Sequence, residues 1–179
     1  MQQAIVGRVP GIVTFKAPVY KEVASDATAL QPAIVIVVVV AVLVGLISGL
    51  IGGNLIFNLV LTVVSQLISW ALGSWVLAFV AKTVYKGEAT TSQMLRVTGY
   101  TAIFRIIGII PFLGFIGGIL QAIANIIGVR EANPGFDNTK AIITAIIAWV
   151  VIAIIIALVG FIFAIIFIGA SAVGGSLNR

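Results

Sequence analysis

Residues 91–129 read TSQMLRVTGYTAIFRIIGIIPFLGFIGGILQAIANIIGV, two apolar runs that meet at Ile110-Pro111, with Arg96 and Arg105 as the only charges. Pro111 has no backbone N–H to donate and disfavours the helical region for Ile110, so the chain turns there without a polar loop. Each arm is about 17 to 19 residues, close to the lower limit for crossing a hydrocarbon layer of roughly 30 Å. The stretch therefore predicts a membrane hairpin with Pro111 at its turn. A chain built around such a hairpin has to be a membrane protein on both sides of it.

Composition agrees. The 179 residues are 61% hydrophobic and only 8% charged, against roughly 45 to 50% and 25% in a soluble domain. Mean hydropathy is +1.28, so lipid is the solvent for most of the surface. The absence of Cys and His excludes thiol chemistry, thiolate or imidazole metal ligation, disulfides and histidine proton relays. A net charge of +5 would suggest nucleic acid in a soluble protein. Here the basic residues sit in the polar segments between apolar runs, which points to membrane orientation and no nucleic acid. No apolar core precedes the first long span, and this predicts no cleavable signal peptide.

Outward from the hairpin, the sequence predicts an all-α polytopic transmembrane bundle of five spans, at about 33–51, 55–84, 92–110, 112–128 and 140–168, forming one domain over 33–169. Residues 1–32, interrupted by Pro10, Pro18 and Pro32, form a polar juxtamembrane segment. It is either a loose tail or contains a two-turn helix opening at Pro18, with Phe15, Tyr20 and Val23 at the interface. The first span carries Gly45, Gly49 and Gly53 at four-residue spacing, a flat face for close helix packing that runs into a Gly52-Gly53-Asn54 turn. The second carries Ser65, Ser69 and Gly73 on a similar face, together with the amides Asn58 and Gln66, which need partners where there is no water. Thr91 or Ser92 is placed to cap the first hairpin arm, and Asp137, Asn138 and Thr139 suit the start of the last helix. Residues 170–179 read as a Gly/Ser-rich tail.

Within the hairpin, Thr98, Thr101, Arg105 and Gly108 fall on one helical face, and Gly114, Gly118, Gln121 and Asn125 on one face of the returning arm. The two stripes are expected to meet. The amides within reach of Arg105 are Asn58, Gln121 and Asn54. Arg8, Lys16, Lys21, Lys82, Lys86, Arg96, Arg130 and Lys140 all fall on one side of a five-span arrangement. That asymmetry predicts a cytoplasmic N-terminus and an exported C-terminus.

No span contains Asp, Glu, His or Cys, Ser65 and Ser69 have no base beside them in sequence, and spacing leaves only Lys82 or Lys86 open to that role, so the sequence predicts no enzyme, no metal and no cofactor. Two functional readings follow. In the first, the chain is a scaffold or accessory subunit acting through its small-residue faces on lipids, on a membrane-protein partner or on a second copy. In the alternative, the polar seam of Asn58, Gln66, Arg105, Gln121 and Asn125 binds or transports a small anion or lipid headgroup through Arg105.

The order of spans adds a family likeness. Pro18 ahead of the first span, Gly87 followed by Leu95-Arg96 and Gly99-Tyr100, Pro111 in the hairpin, Ile127-Gly128-Val129-Arg130-Glu131 and Lys140-Ala141 together resemble the Ypt-interacting protein (Yip) domain family of five-span membrane proteins, in its prokaryotic form. The likeness covers nearly the whole chain. For eukaryotic members it implies contact with prenylated Rab-type GTPases, partly through an acidic Asp-Leu-x-Gly-Pro segment. That segment is missing here and the N-terminal region is short and basic, so GTPase binding does not carry over. What the resemblance implies for this chain is a membrane scaffold or accessory subunit.

Overall fold

The computed structural model describes residues 2–110 and 112–177, and among them there are helices and turns but no strand. Pro111, read as the hairpin turn, lies outside the described residues. Seven α-helices follow one another: α1 (Gln2–Val13), α2 (Ala17–Ser25), α3 (Leu30–Gly52), α4 (Leu55–Tyr85), α5 (Thr91–Thr101), α6 (Gly114–Ala132) and α7 (Asn138–Leu177). Four helical stretches, Ala27–Gly52, Leu55–Tyr85, Gly114–Ala132 and Asn138–Ile162, are long and apolar enough to cross a membrane. In an apolar medium every backbone N–H and C=O must be satisfied within its own segment, and β-branched runs such as those of α3 and α7 therefore stay helical. Their outer faces expose Val39, Leu50, Ile56, Ile68, Ile154 and Phe161, the surface expected of helices solvated by lipid.

The first hairpin arm departs from a single α-helix. After Thr101 the chain tightens into a 3-10 helix, Ala102–Ile109. Just before the change, the Thr98 hydroxyl donates to the Met94 carbonyl at 2.7 Å. Such back-bonding competes with the backbone ladder and loosens an α-helix locally. The tighter winding rises roughly 2.0 Å per residue against 1.5 Å, so the arm gains length from few residues.

Turn chemistry explains the joints. Gly53, at φ 74, ends α3, and the Asn54 side chain accepts from the Phe57 N–H to start α4. Thr90, one residue ahead of the expected Thr91 or Ser92, caps α5 in a reciprocal box with Gln93. The Asp137 carboxylate accepts from the Lys140 N–H at 2.8 Å at the start of α7. That helix continues to Leu177, through most of the segment read as a Gly/Ser tail.

The N-terminal segment is not a loose lead. It contains the helix opening near Pro18, here α2, and a second helix, α1, that tolerates Pro10 inside it. The two fold back on each other and pack on the bundle. The Tyr20 hydroxyl donates to the Ile12 carbonyl at 2.9 Å, Phe15 stacks on Phe104 with ring centroids 5.4 Å apart, and Arg96 donates to the Ala24 carbonyl at 2.7 Å. Tyr20 and Val23 are wholly buried, so what looks like an interfacial face belongs to the core.

Arg8 clasps α1 to α2 by pairing with Glu22 and Asp26. Hydrogen bonds from Thr28 and Arg8 hold the Asp26 carboxyl down at about 2. Its folded value lies below the unfolded one, so its contribution is complete above the ordinary carboxylate range and is lost as pH falls from about 4 towards 2. A nitroxide label at Gly7 is expected to become mobile over that interval, and to be mobile already at neutral pH in Asp26→Asn. A label that stays immobile in both cases would show that apolar packing alone holds α1.

Candidate intramembrane polar site

A cavity of about 710 Å³ lies between α4, the hairpin arms and the first half of α7. It has two unlike walls. Towards α4, α5 and α6 the polar residues Gln66, Ser74, Thr98, Arg105, Gln121 and Asn125 stand among apolar ones such as Ile68, Leu72 and Leu77, and towards α7 Trp149, Ile152, Ile155, Ile156 and Val159 line it.

The polar wall is assembled where α5 and the 3-10 segment after it pack against α6. Antiparallel arms put Thr101 against Asn125, where the hydroxyl donates to the amide oxygen at 2.6 Å, and Arg105 against Gln121, where Nε donates to Oε1 at 3.0 Å. Gly108 and Gly114 face one another nearer the turn, where a Cβ on either would lie 3.5 Å from the other's Cα. Three pairs, Thr101–Asn125, Arg105–Gln121 and Gly108–Gly114, thus form one seam, whereas Thr98 bonds to Ser74 of α4 and a Cβ on Gly118 would meet no atom within 4 Å.

Helix α4 supplies the third component. Its Gln66 side-chain amide oxygen accepts from Arg105 Nη1, and Ser74 shares a hydrogen bond with Thr98 at 2.7 Å. Gln66 stands where Asn58 or Asn54 was expected. Those two lie two helical turns or more away from it, at the start of α4, and bond to each other, Asn58 Nδ2 donating to the Asn54 carbonyl at 2.9 Å. Asn58 therefore belongs to the α3–α4 turn and not to the seam.

The small residues divide by role. A Cβ on Gly45 would come 3.1 Å from the Leu59 Cα, and one on Gly49 2.8 Å from the Leu55 Cα, so α3 and α4 meet there backbone to backbone. Gly53 is the turn residue. Ser65 and Ser69 are exposed; Ser65 bonds back to the Thr62 carbonyl, and Ser69, Gly73 and Gly118 line the cavity. No atom lies within 4 Å of a Cβ built on Gly118, whereas one on its neighbour Gly117 would meet the Phe104 carbonyl at 2.6 Å. Gly117 packs against the first arm, as Gly128 further along α6 packs against Val97. The pair Gly117-Gly118 signals a close approach somewhere, but four-residue spacing pointed to the wrong member.

Electrostatically, Arg105 stands alone. The ion pairs among the described residues join Arg8 to Glu22 and Asp26, and Arg130 to Glu131, and none reaches the cavity. Two amide oxygens accept from Nε and Nη1 of Arg105; among the described residues, Nη2 has no hydrogen-bond partner. Amide dipoles orient a guanidinium without neutralising it. The site is therefore a single positive charge set in a polar wall opposite an apolar one. No group of three or more His, Cys, Asp or Glu gathers among the described residues.

No curated protein and no solved structure matches the chain. A protein-family comparison does, through the Yip1 domain over residues 11–160, a span that includes every residue lining the cavity. The chain therefore belongs to the Yip1 domain family of membrane proteins.

Proposed function

We propose that this Yip1-domain protein is a non-enzymatic membrane scaffold or accessory subunit whose working element is the Arg105 cavity, where it holds an anion or a lipid headgroup. The observation that carries this reading is the unneutralised guanidinium in a cavity of about 710 Å³, a volume within the usual range of roughly 300 to 1,000 Å³ for ligand sites. Intramembrane charges are costly and are kept where they serve a bound partner or ligand. Replacing Arg105 with Gln keeps a hydrogen-bonding side chain and removes the charge. After mild detergent extraction, Arg105→Gln is expected to lose most of the anionic lipid or anion that the parent protein retains; equal retention in a correctly assembled variant removes the reading's support.

We also infer five crossings, with α5 and its 3-10 extension as the third. Eleven α-helical and eight 3-10 residues measure about 32 Å together, enough for a hydrocarbon core. Lys82, Lys86, Arg96, Arg130 and Lys140 then lie on the cytosolic side. The chain has no native cysteine, so single cysteines report topology cleanly. Cysteines at Glu88 and Asn138 should react with a membrane-impermeant maleimide only from the cytosolic side, and one at Asn54 only from the other. Labelling of all three from one side would end the five-crossing arrangement.

A further inference from the structure

We infer that the ligand of the Arg105 cavity enters sideways from the hydrocarbon and is a long-chain fatty acid, its carboxyl group on Arg105 and its chain along α7. This rests on the reading of the cavity as an anion or headgroup site and adds the route and the ligand class.

The route follows from burial. Towards the basic end of the bundle the cavity is closed, because Ser74, Leu77, Thr144, Ala145 and Ala148 are buried where α4 and α6 pack on α7. Further along α7 the packing opens. Ile156 and Val159 line the cavity and are also exposed, as is Ser69 across from them on α4. The flanking surface is apolar, with Ile68 at 61% and Leu158 at 57% exposure, so the opening faces acyl chains and not water. A freely soluble anion would have to cross hydrocarbon to reach it, at a prohibitive cost for a bare charge.

The ligand class follows from the walls. A single cation favours a single acidic group, and a planar guanidinium matches the two oxygens of a carboxyl. A zwitterionic phospholipid brings its own cation, so Arg105 offers it less. A carboxylic acid travels through apolar surroundings in its neutral form far more cheaply than a phosphate, and accepts a guanidinium hydrogen bond whether or not it is ionised. The remaining wall, Trp149, Ile152, Ile155 and Ile156, is apolar over a cavity that spans α4 from Gln66 to Leu77, about 16 Å along the helix. It suits one extended chain.

Trp70 and Trp149 line the cavity, whereas Trp75 stacks on Phe79 outside it, and these are the three tryptophans of the chain. Bromine quenches tryptophan on contact, so the full chain in phosphatidylcholine vesicles can be titrated with a brominated stearate. The expected result is saturable quenching that persists in Trp75→Phe and falls sharply in Trp149→Phe. Arg105→Gln should weaken it at least about tenfold, the scale of one charge-assisted hydrogen bond, and Arg105→Lys, which keeps the charge without the fork, should weaken it less. Unsaturable quenching, or equal quenching in Arg105→Gln, overturns the fatty-acid assignment. So does displacement by inorganic phosphate, which would show a water-open anion site while leaving the broader reading intact. If stearate, phosphate and a brominated phosphatidic acid all fail to bind the parent protein, the broader reading falls as well.

Discussion

Gly117→Ala is expected to destabilise the protein by about 1 to 3 kcal/mol, the usual cost of forcing a methyl group into a filled contact. Gly118→Ala, at the next residue, is expected to be neutral or to stabilise by up to about 1 kcal/mol, because alanine is the better helix former. The two glycines share a helix and almost a depth, so propensity cannot separate them. What separates them is the neighbour: 2.6 Å to the Phe104 carbonyl for a Cβ on Gly117, and no atom within 4 Å for one on Gly118. A backbone carbonyl cannot rotate away as a side chain can. α6 would have to retreat from the 3-10 arm, and the retreat would stretch the 3.0 Å Arg105–Gln121 hydrogen bond. Thermal unfolding in detergent measures both changes. Equal shifts for the two variants would contradict the packing of α6 against the first arm.

Asn133→Ala is expected to cost about 1 to 3 kcal/mol, the penalty for stranding a buried backbone donor. Asn133 is wholly buried just beyond α6. Its amide oxygen accepts from the Ala89 N–H at 2.9 Å and its amide nitrogen donates to the Val129 carbonyl at 2.7 Å. It thereby pins the α4–α5 loop to the end of α6. The loop has shaped itself to the contact, since a Cβ on Gly87 would sit 2.4 Å from that amide oxygen. Loss of the side chain leaves Ala89, only 5% exposed, without an acceptor, so the loop should become the first site of proteolysis as well as lowering the unfolding temperature. A variant as stable and as protease-resistant as the parent would show that water replaces the amide at no cost.

Much of the seam was legible beforehand. Arg105, Gln121 and Asn125 could be placed together because a tight hairpin forces its arms antiparallel, and residues three or four apart share a helical face. Gln66 was legible as an amide of the seam but not as the partner of Arg105. Nothing local says whether α4 presents Gln66 or Asn58 to Arg105, since that depends on how far one helix slides past another. Asn133 carried no signal at all: an asparagine before Pro134 reads as an ordinary turn residue until the α4–α5 loop is brought across it. The N-terminal helices were underread for a related reason, because prolines predict interruption but do not reveal that Phe15 and Tyr20 have a bundle surface to bury against.

Sequence alone determined the solvent, the helical class and the family likeness, since these depend on composition, on backbone groups that lipid cannot satisfy and on residue order along the chain. Tertiary structure alone decided which glycines touch backbone, which amides hold Arg105 and where a cavity remains. Those are matters of distance between helices far apart in the chain, and small-residue spacing permits several such arrangements that differ only in how the backbones slide and rotate against each other.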